Sequence, residues 1–266
     1  MKSVNEVFGA ESPRTYINLN WAGRVERPAE IAARLSATMS VLSEWTGLQW
    51  YRDTADRKGT EVTFELVPTE VARLAQVINS TGGNDDEDSF SWTGFFQSLR
   101  AGSDPSAKTL AVLNGSTASI MEQRNEVQLQ LADDFPLGTP SQAAQWFLDL
   151  VRIWQPDHAR LSTLALQKAT GLSRAGYLSW TSSKAYAEPE SDAEIRIPFG
   201  DGALRASRRW TVEAIVEINS ELEEAGAPEF SERPAVQDPP QFPAGYPEGL
   251  DSLDREVLWA RENSGR

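Results

Sequence analysis

The chain has 266 residues with nine Trp, ten Phe and five Tyr, enough length and bulk for one large core or two smaller ones. Its 25 basic and 39 acidic residues leave a formal charge of −14, which disfavours direct binding to a phosphate backbone and favours either simple solubility or a basic partner. The lack of cysteine excludes disulfides, zinc–thiolate sites, iron–sulfur clusters and thiol nucleophiles.

The N-terminal Met1 to Phe8 lacks the apolar run of a signal peptide, and no stretch approaches 18 apolar residues, so the expectation is a soluble cytoplasmic protein without membrane contact. From Arg14 to Trp21 the alternation of Tyr16, Asn18 and Asn20 with Ile17, Leu19 and Trp21 predicts a strand. Pro28 then opens a helix whose apolar positions Ile31, Leu35, Met39, Leu42 and Trp45 recur every three or four residues until Gly47. Thr60 to Val67 predicts a strand, and Pro68-Thr69-Glu70 a short helix through Val71, Leu74 and Ile78. Alternating Phe90, Trp92, Gly94 and Phe96, the apolar Leu110 to Leu113, and Val127, Leu129 and Leu131 suggest an antiparallel meander.

The strongest local signal lies between Asn125 and Leu166, which reads as strand, helix, strand. Thr139-Pro140-Ser141-Gln142 has the cap, the first-turn proline and the back-reaching Gln of a capping box. Ala143, Trp146, Phe147, Leu150, Val151 and Trp154 follow on one stripe, and Ala159 to Leu166 is apolar enough to return as a strand. Gly176 to Trp180 and Ile195 to Ile197 predict further strands, with Gly200-Asp201-Gly202 turning the chain into Ala203 to Ser207. A helix is expected through Val212, Ile215, Ile218, Leu222 and Ala225. Between Ala227 and Gly249 six prolines are interleaved with Phe230, Phe242 and Tyr246, a composition for a disordered tail or an extended strap docked by its aromatics. Leu250 to Glu262 is expected to close the chain as a short helix.

The expected fold is therefore α+β: two strand-helix-strand lobes with mixed, mainly antiparallel sheets and helices packed on them, plus a Pro-rich C-terminal strap. The expected boundaries are 1–120, 121–228 and 229–266, and the shared element order raises the idea of a two-lobed repeat.

Few residues offer chemistry. His158 is the lone histidine, which rules out a multi-histidine metal site and, before a buried strand, suits a structural role. There is no G-x-S-x-G elbow, Walker loop or dinucleotide fingerprint, so no cofactor or metal is expected. Paired carboxylates among Glu61, Glu65, Glu126, Asp133, Asp134 and Asp149 could do acid–base work, but 39 acids make such a choice arbitrary. The run Asp85-Asp86-Glu87-Asp88 is more distinctive: a solvated loop, or a docking surface for Lys and Arg, with Trp92 beside it as an anchor. Trp180 suits an anchor or, more ordinarily, the core.

The order of several signatures resembles the immunity protein 52 family of bacterial polymorphic toxin systems. They are Tyr16-Ile17-Asn18-Leu19-Asn20-Trp21 with the following helix, Leu110 to Gly115, Asn125 to Leu131, Gly176-Tyr177-Leu178, Gly202-Ala203-Leu204-Arg205, and Ile218 to Gly226. Together they span roughly residues 14 to 230, leaving the acidic run and the tail beyond Phe230 outside the pattern. The resemblance implies a non-enzymatic antidote that binds a cognate toxin, often a basic nuclease, rather than nucleic acid itself. On charge alone, outside the resemblance, Asp85, Asp86, Glu87, Asp88 and Trp92 are the expected contacts. Two other readings stand beside it, a carboxylate-dependent hydrolase and an interaction module whose partner is not a toxin.

Overall fold

The computed structural model describes residues 1–24, 26–55, 62–82, 95–105, 107–117, 125–171, 174–186, 189–229 and 238–259. Along the chain run α1 (Val4–Phe8), β1 (Thr15–Trp21), α2 (Pro28–Thr46), β2 (Gln49–Ala55), β3 (Val62–Leu66), α3 (Val71–Gly82), β4 (Phe95–Gly102), β5 (Ala111–Thr117) and β6 (Asn125–Leu131). There follow α4 (Pro140–Trp154), β7 (His158–Ser162), α5 (Leu164–Thr170), β8 (Leu178–Ser182), β9 (Glu194–Phe199), β10 (Gly202–Ser207), β11 (Arg209–Trp210), α6 (Val212–Glu224), α7 (Leu253–Glu256) and β12 (Leu258–Trp259). The fold class is α+β, as the alternation of the two periodicities predicts.

The chain divides into two compact units, Met1–Trp21 with Leu131–Arg266, and Ala22–Gln130. In the first, β1 lies beside β7, followed by β8, β10 and β9, each pair antiparallel. β1 belongs here because its alternation matches that of β7: Ile17 faces Leu161 and Leu19 faces Ala159 across the ladder. The helix α4 supplies the largest apolar stripe, with Trp146, Phe147, Leu150, Val151 and Trp154 all buried. Trp154 stacks on Trp21 at 5.6 Å between ring centroids. The expected capping box is present: Thr139 Oγ1 accepts from the Gln142 amide at 3.4 Å, and Gln142 Oε1 accepts from the Thr139 amide at 3.0 Å. Asp254 of α7 adds a second cap, accepting from the Ser141 amide and hydroxyl at 2.8 Å each, so a carboxylate sits at the positive end of α4.

Two expectations for this unit need correction. The apolar run Ala159 to Leu166 is not one strand: β7 ends at Ser162, and Thr163 caps a new helix by accepting from the Leu166 amide at 3.2 Å. A short apolar run has no period of its own, and the capping threonine decided it. The closing helix is likewise shorter than expected. A 3-10 turn at Leu250–Ser252 leads into α7, after which Val257 turns extended and β12 pairs in parallel with β11. There Trp259 packs edge-on against Trp210 at 4.8 Å, burial that a longer helix would forfeit.

The described part of the Pro-rich segment is a docked strap. Phe242 lies 5.2 Å from both Trp180 and Phe199, and Gln155 and Arg152 donate to the carbonyls of Pro240 and Gly245 at 3.2 and 2.9 Å. Tyr246 donates its hydroxyl to Asp149 at 2.6 Å. Burial, and then that carboxylate, push the Tyr246 phenol up to about 12.

In the second unit the strand order is β3, β2, β4, β5, β6, with α2 packed on α3. Pro28 starts α2 and Gly47 ends it in the left-handed conformation at φ 72°, donating back to Ser43 O at 2.7 Å. The strand β2 has no counterpart among the expected elements. Arg52, Asp53 and Thr54 interrupt its apolar pattern after Trp50 and Tyr51, so pairing with β3 rather than sequence period makes it a strand. Of the first strand-helix-strand series, β1 falls in one unit and α2 to β3 in the other.

Candidate functional site

The sheet of the first unit has two faces of different chemistry. Alternation places Ile17, Leu19 and Trp21, Ala159 and Leu161, Leu178 and Trp180, Leu204 and Ala206, and Ile195 and Ile197 on one of them. The other carries polar side chains in register. One row crosses the strands as Asn18, Arg160, Ser179, Arg205 and Arg196, and the next as Asn20, His158, Thr181, Ala203 and Pro198.

Most of this polar face is buried. Arg160, His158, Ser179, Thr181, Arg205 and Glu194 are all under a tenth exposed. Buried charge is costly unless matched, and here Arg205 Nη2 is ion-paired with Glu194 Oε2, both side chains nearly fully enclosed. His158 Nδ1 and Thr181 Oγ1 are 3.0 Å apart, a hydrogen bond across the β7–β8 ladder. Cross-strand neighbours on one face stand about 5 Å apart, so Arg196 and Arg205 are like charges directly opposite each other. Glu194 answers Arg205; Arg196 is held by Glu190 at 3.4 Å, an outward pair with side-chain exposures of 54% and 83%.

These residues open on a recess of about 340 Å³ lined by Thr181, Ser183, Tyr186, Arg196, Ala203 and Arg205 and by the turn Gly200-Asp201-Gly202. Its rim is built by the turn Gly200-Asp201-Gly202. Gly200 has φ 60°, and a Cβ there would strike the strap backbone at Gln241. Asp201 Oδ2 accepts from Lys184 Nζ and the Gln241 amide at 2.9 Å each, and these two contacts, Lys184 first, hold its carboxyl below the usual carboxylate range. Its charge is therefore committed to the rim.

The second unit offers a different surface. β2 pairs with β4 only over Gln49–Tyr51, but with β3 from Tyr51 to Ala55, so the β2–β3 ribbon runs on past the β4 ladder. Phe64 and Leu66 are 38% and 61% exposed on it. Arg100 lies 5.7 Å over the Phe64 ring and 3.0 Å from Asp53, beside a recess of about 270 Å³ that Tyr51, Phe64 and Arg100 line.

The expected contacts Asp85, Asp86, Glu87, Asp88 and Trp92 lie outside the described residues. Of the other acids considered, Glu65 pairs with Arg52 at 2.8 Å, Asp149 with Tyr246 and Arg152, and Glu126 lines a shallow recess with Asn114 and Gln128. Glu61 lies outside the described residues. Trp180 is core: it is fully buried and donates its indole N–H to Phe199 O at 3.1 Å. Among the described residues no three His, Cys, Asp or Glu side chains converge as a metal site, and no helix is long and apolar enough to cross a membrane. The arginine row was missed, though a signal was there: Ala159-Arg160-Leu161, Ile195-Arg196-Ile197 and Leu204-Arg205-Ala206 each set one arginine between apolar residues inside a strand.

No family model matches the chain, and no curated protein matches it in sequence. In fold it is similar to a protein of known structure, the Pseudomonas aeruginosa T6SS protein PA0821. The TM-score is 0.51 at 12% identity, over 94% of this chain and 83% of that one. At that identity the likeness concerns the fold.

Proposed function

We propose that this chain is a cytoplasmic, non-enzymatic immunity protein that binds and neutralises a cognate toxin delivered between bacteria, most readily a basic nuclease. The observation that carries the reading is the fold shared with a T6SS protein over 94% of the chain. The ordered sequence resemblance to immunity protein 52 points the same way, although no family model matches. Physical chemistry adds a reason for the class of partner. A nuclease must present basic side chains to phosphates, and a protein of net charge −14 can meet that surface and gain association rate by electrostatic steering. The acidic run Asp85-Asp86-Glu87-Asp88 with Trp92, and the exposed Phe64 and Leu66 beside Arg100, are the contacts this reading assigns.

Co-expression with the toxin encoded beside the gene tests it. Rescue of growth, with a complex that co-purifies and weakens as salt rises, is the expected result. Failure of the wild-type chain either to rescue or to bind would sink the reading for that pair.

A further inference from the structure

The recess on the polar face of the first unit has no role in the immunity reading, and its chemistry is specific. We propose that it binds a single small oxyanion, of the carboxylate or phosphate class, clamped between Arg196 and Arg205. Three observations lead there. The first is the register: Arg196 and Arg205 stand directly opposite on adjacent antiparallel strands, which sets two guanidinium-bearing side chains beside each other on the lining of one recess. The second is how the existing acids are spent. Glu194 is enclosed with Arg205, and Asp201 is tied to Lys184 and the Gln241 amide on the rim. Among the described residues Arg196 has the long, outward contact to Glu190, which is 83% exposed and readily exchanged for a better acceptor. The third is space: Arg196, Arg205 and Tyr186 all line one recess of about 340 Å³.

Guanidinium forks match the two oxygens of a carboxylate or phosphate, and a partly enclosed site strengthens the contact. The size and sign of the whole chain narrow the ligand further. At net charge −14 a polyanion is repelled along its length, whereas a single oxyanion is governed by the charges of the recess itself, where Lys184 offsets Asp201 and Glu194 offsets Arg205. The same chemistry is offered by a free anion and by an Asp or Glu side chain carried on a protein.

Thermal unfolding and calorimetric titration of the full chain test the site, using inorganic phosphate and N-acetylglutamate amide, each against sodium chloride at equal ionic strength. At ten times its Kd either anion is expected to raise Tm by about 3 °C. Arg196→Gln is expected to keep the chloride Tm, since its ion pair is exposed, and to lose affinity roughly tenfold or more. Tighter binding of the blocked glutamate marks a protein side chain as the source, and tighter binding of phosphate marks a free anion. If neither anion shifts the wild type beyond chloride, or if Arg196→Gln responds as the wild type does, the proposal is overturned. Growth rescue by the chain scores the immunity reading separately, so one can fail without the other.

Discussion

The sheet of the first unit and the β2–β3 ribbon of the second solve opposite problems with similar residues. Both hold an arginine against a carboxylate. In the first unit Arg205 and Glu194 are 4% and 2% exposed, whereas in the second Arg100 and Asp53 are each 44% exposed. Enclosed, a pair pays a desolvation cost that only mutual contact offsets, so each partner becomes indispensable to the other. Exposed, water and salt substitute for a lost partner and the pair contributes little to folding. A surface of the second kind can be rearranged by a partner at low cost; one of the first kind must be pre-formed.

Mutations should separate the two. Glu194→Gln leaves Arg205 enclosed without its counter-charge and is expected to lower stability by about 3–5 kcal/mol in urea unfolding. Trp154→Ala, which empties the site stacked on Trp21, belongs to the same range of about 3–5 kcal/mol. Asp53→Asn is expected to change stability by less than about 1 kcal/mol. An Asp53→Asn cost equal to that of Glu194→Gln would erase the distinction.

Phe242→Ala probes the strap. Its ring is half-buried between Trp180 and Phe199, and removal is expected to cost about 1–2 kcal/mol and to expose the strap to limited proteolysis. Unchanged cleavage would mean that the backbone contacts to Gln155 and Arg152 suffice alone.

Two titrations give smaller signals. The Asp201 carboxyl is depressed below its ordinary value of 3.8, so its stabilising effect is fully present above that pH and is lost as pH falls through the folded value. Asp201→Asn is therefore expected to differ from wild type at neutral pH and to converge with it in acid. For Tyr246 the folded value is raised from 10.0 to about 12, so its contribution is complete below pH 10 and is lost as pH rises through the folded value. Ultraviolet titration should show a late tyrosinate that Tyr246→Phe removes; a phenol titrating at the ordinary value would contradict the Asp149 bond. Smallest of all, Leu66→Ser should alter stability by no more than about 0.5 kcal/mol, because the side chain is already 61% exposed.

Legibility followed the reach of the forces involved. The α4 helix was readable to the residue because its capping box and stripe act within four residues. The α5 helix was not, because Leu164-Ala165-Leu166 continues the apolar run of β7 and only the Thr163 cap divides them. Strand β2 was missed for a related reason: Arg52 and Asp53 satisfy their charges against Glu65 and Arg100, residues that sequence spacing does not bring together. The polar recess was legible in part. Each arginine between apolar neighbours marks a two-faced strand, but not which strands adjoin.

By itself the sequence determined the α+β class, the large amphipathic helices, the acidity and the aromatic strap, since local periodicity and composition act on near neighbours. Tertiary structure alone decided that β1 pairs with β7, that Phe242 docks between Trp180 and Phe199, and that Arg196 stands opposite Arg205. Those outcomes depend on strand order and register, and a one-residue change of register sends every side chain of a strand to the other face.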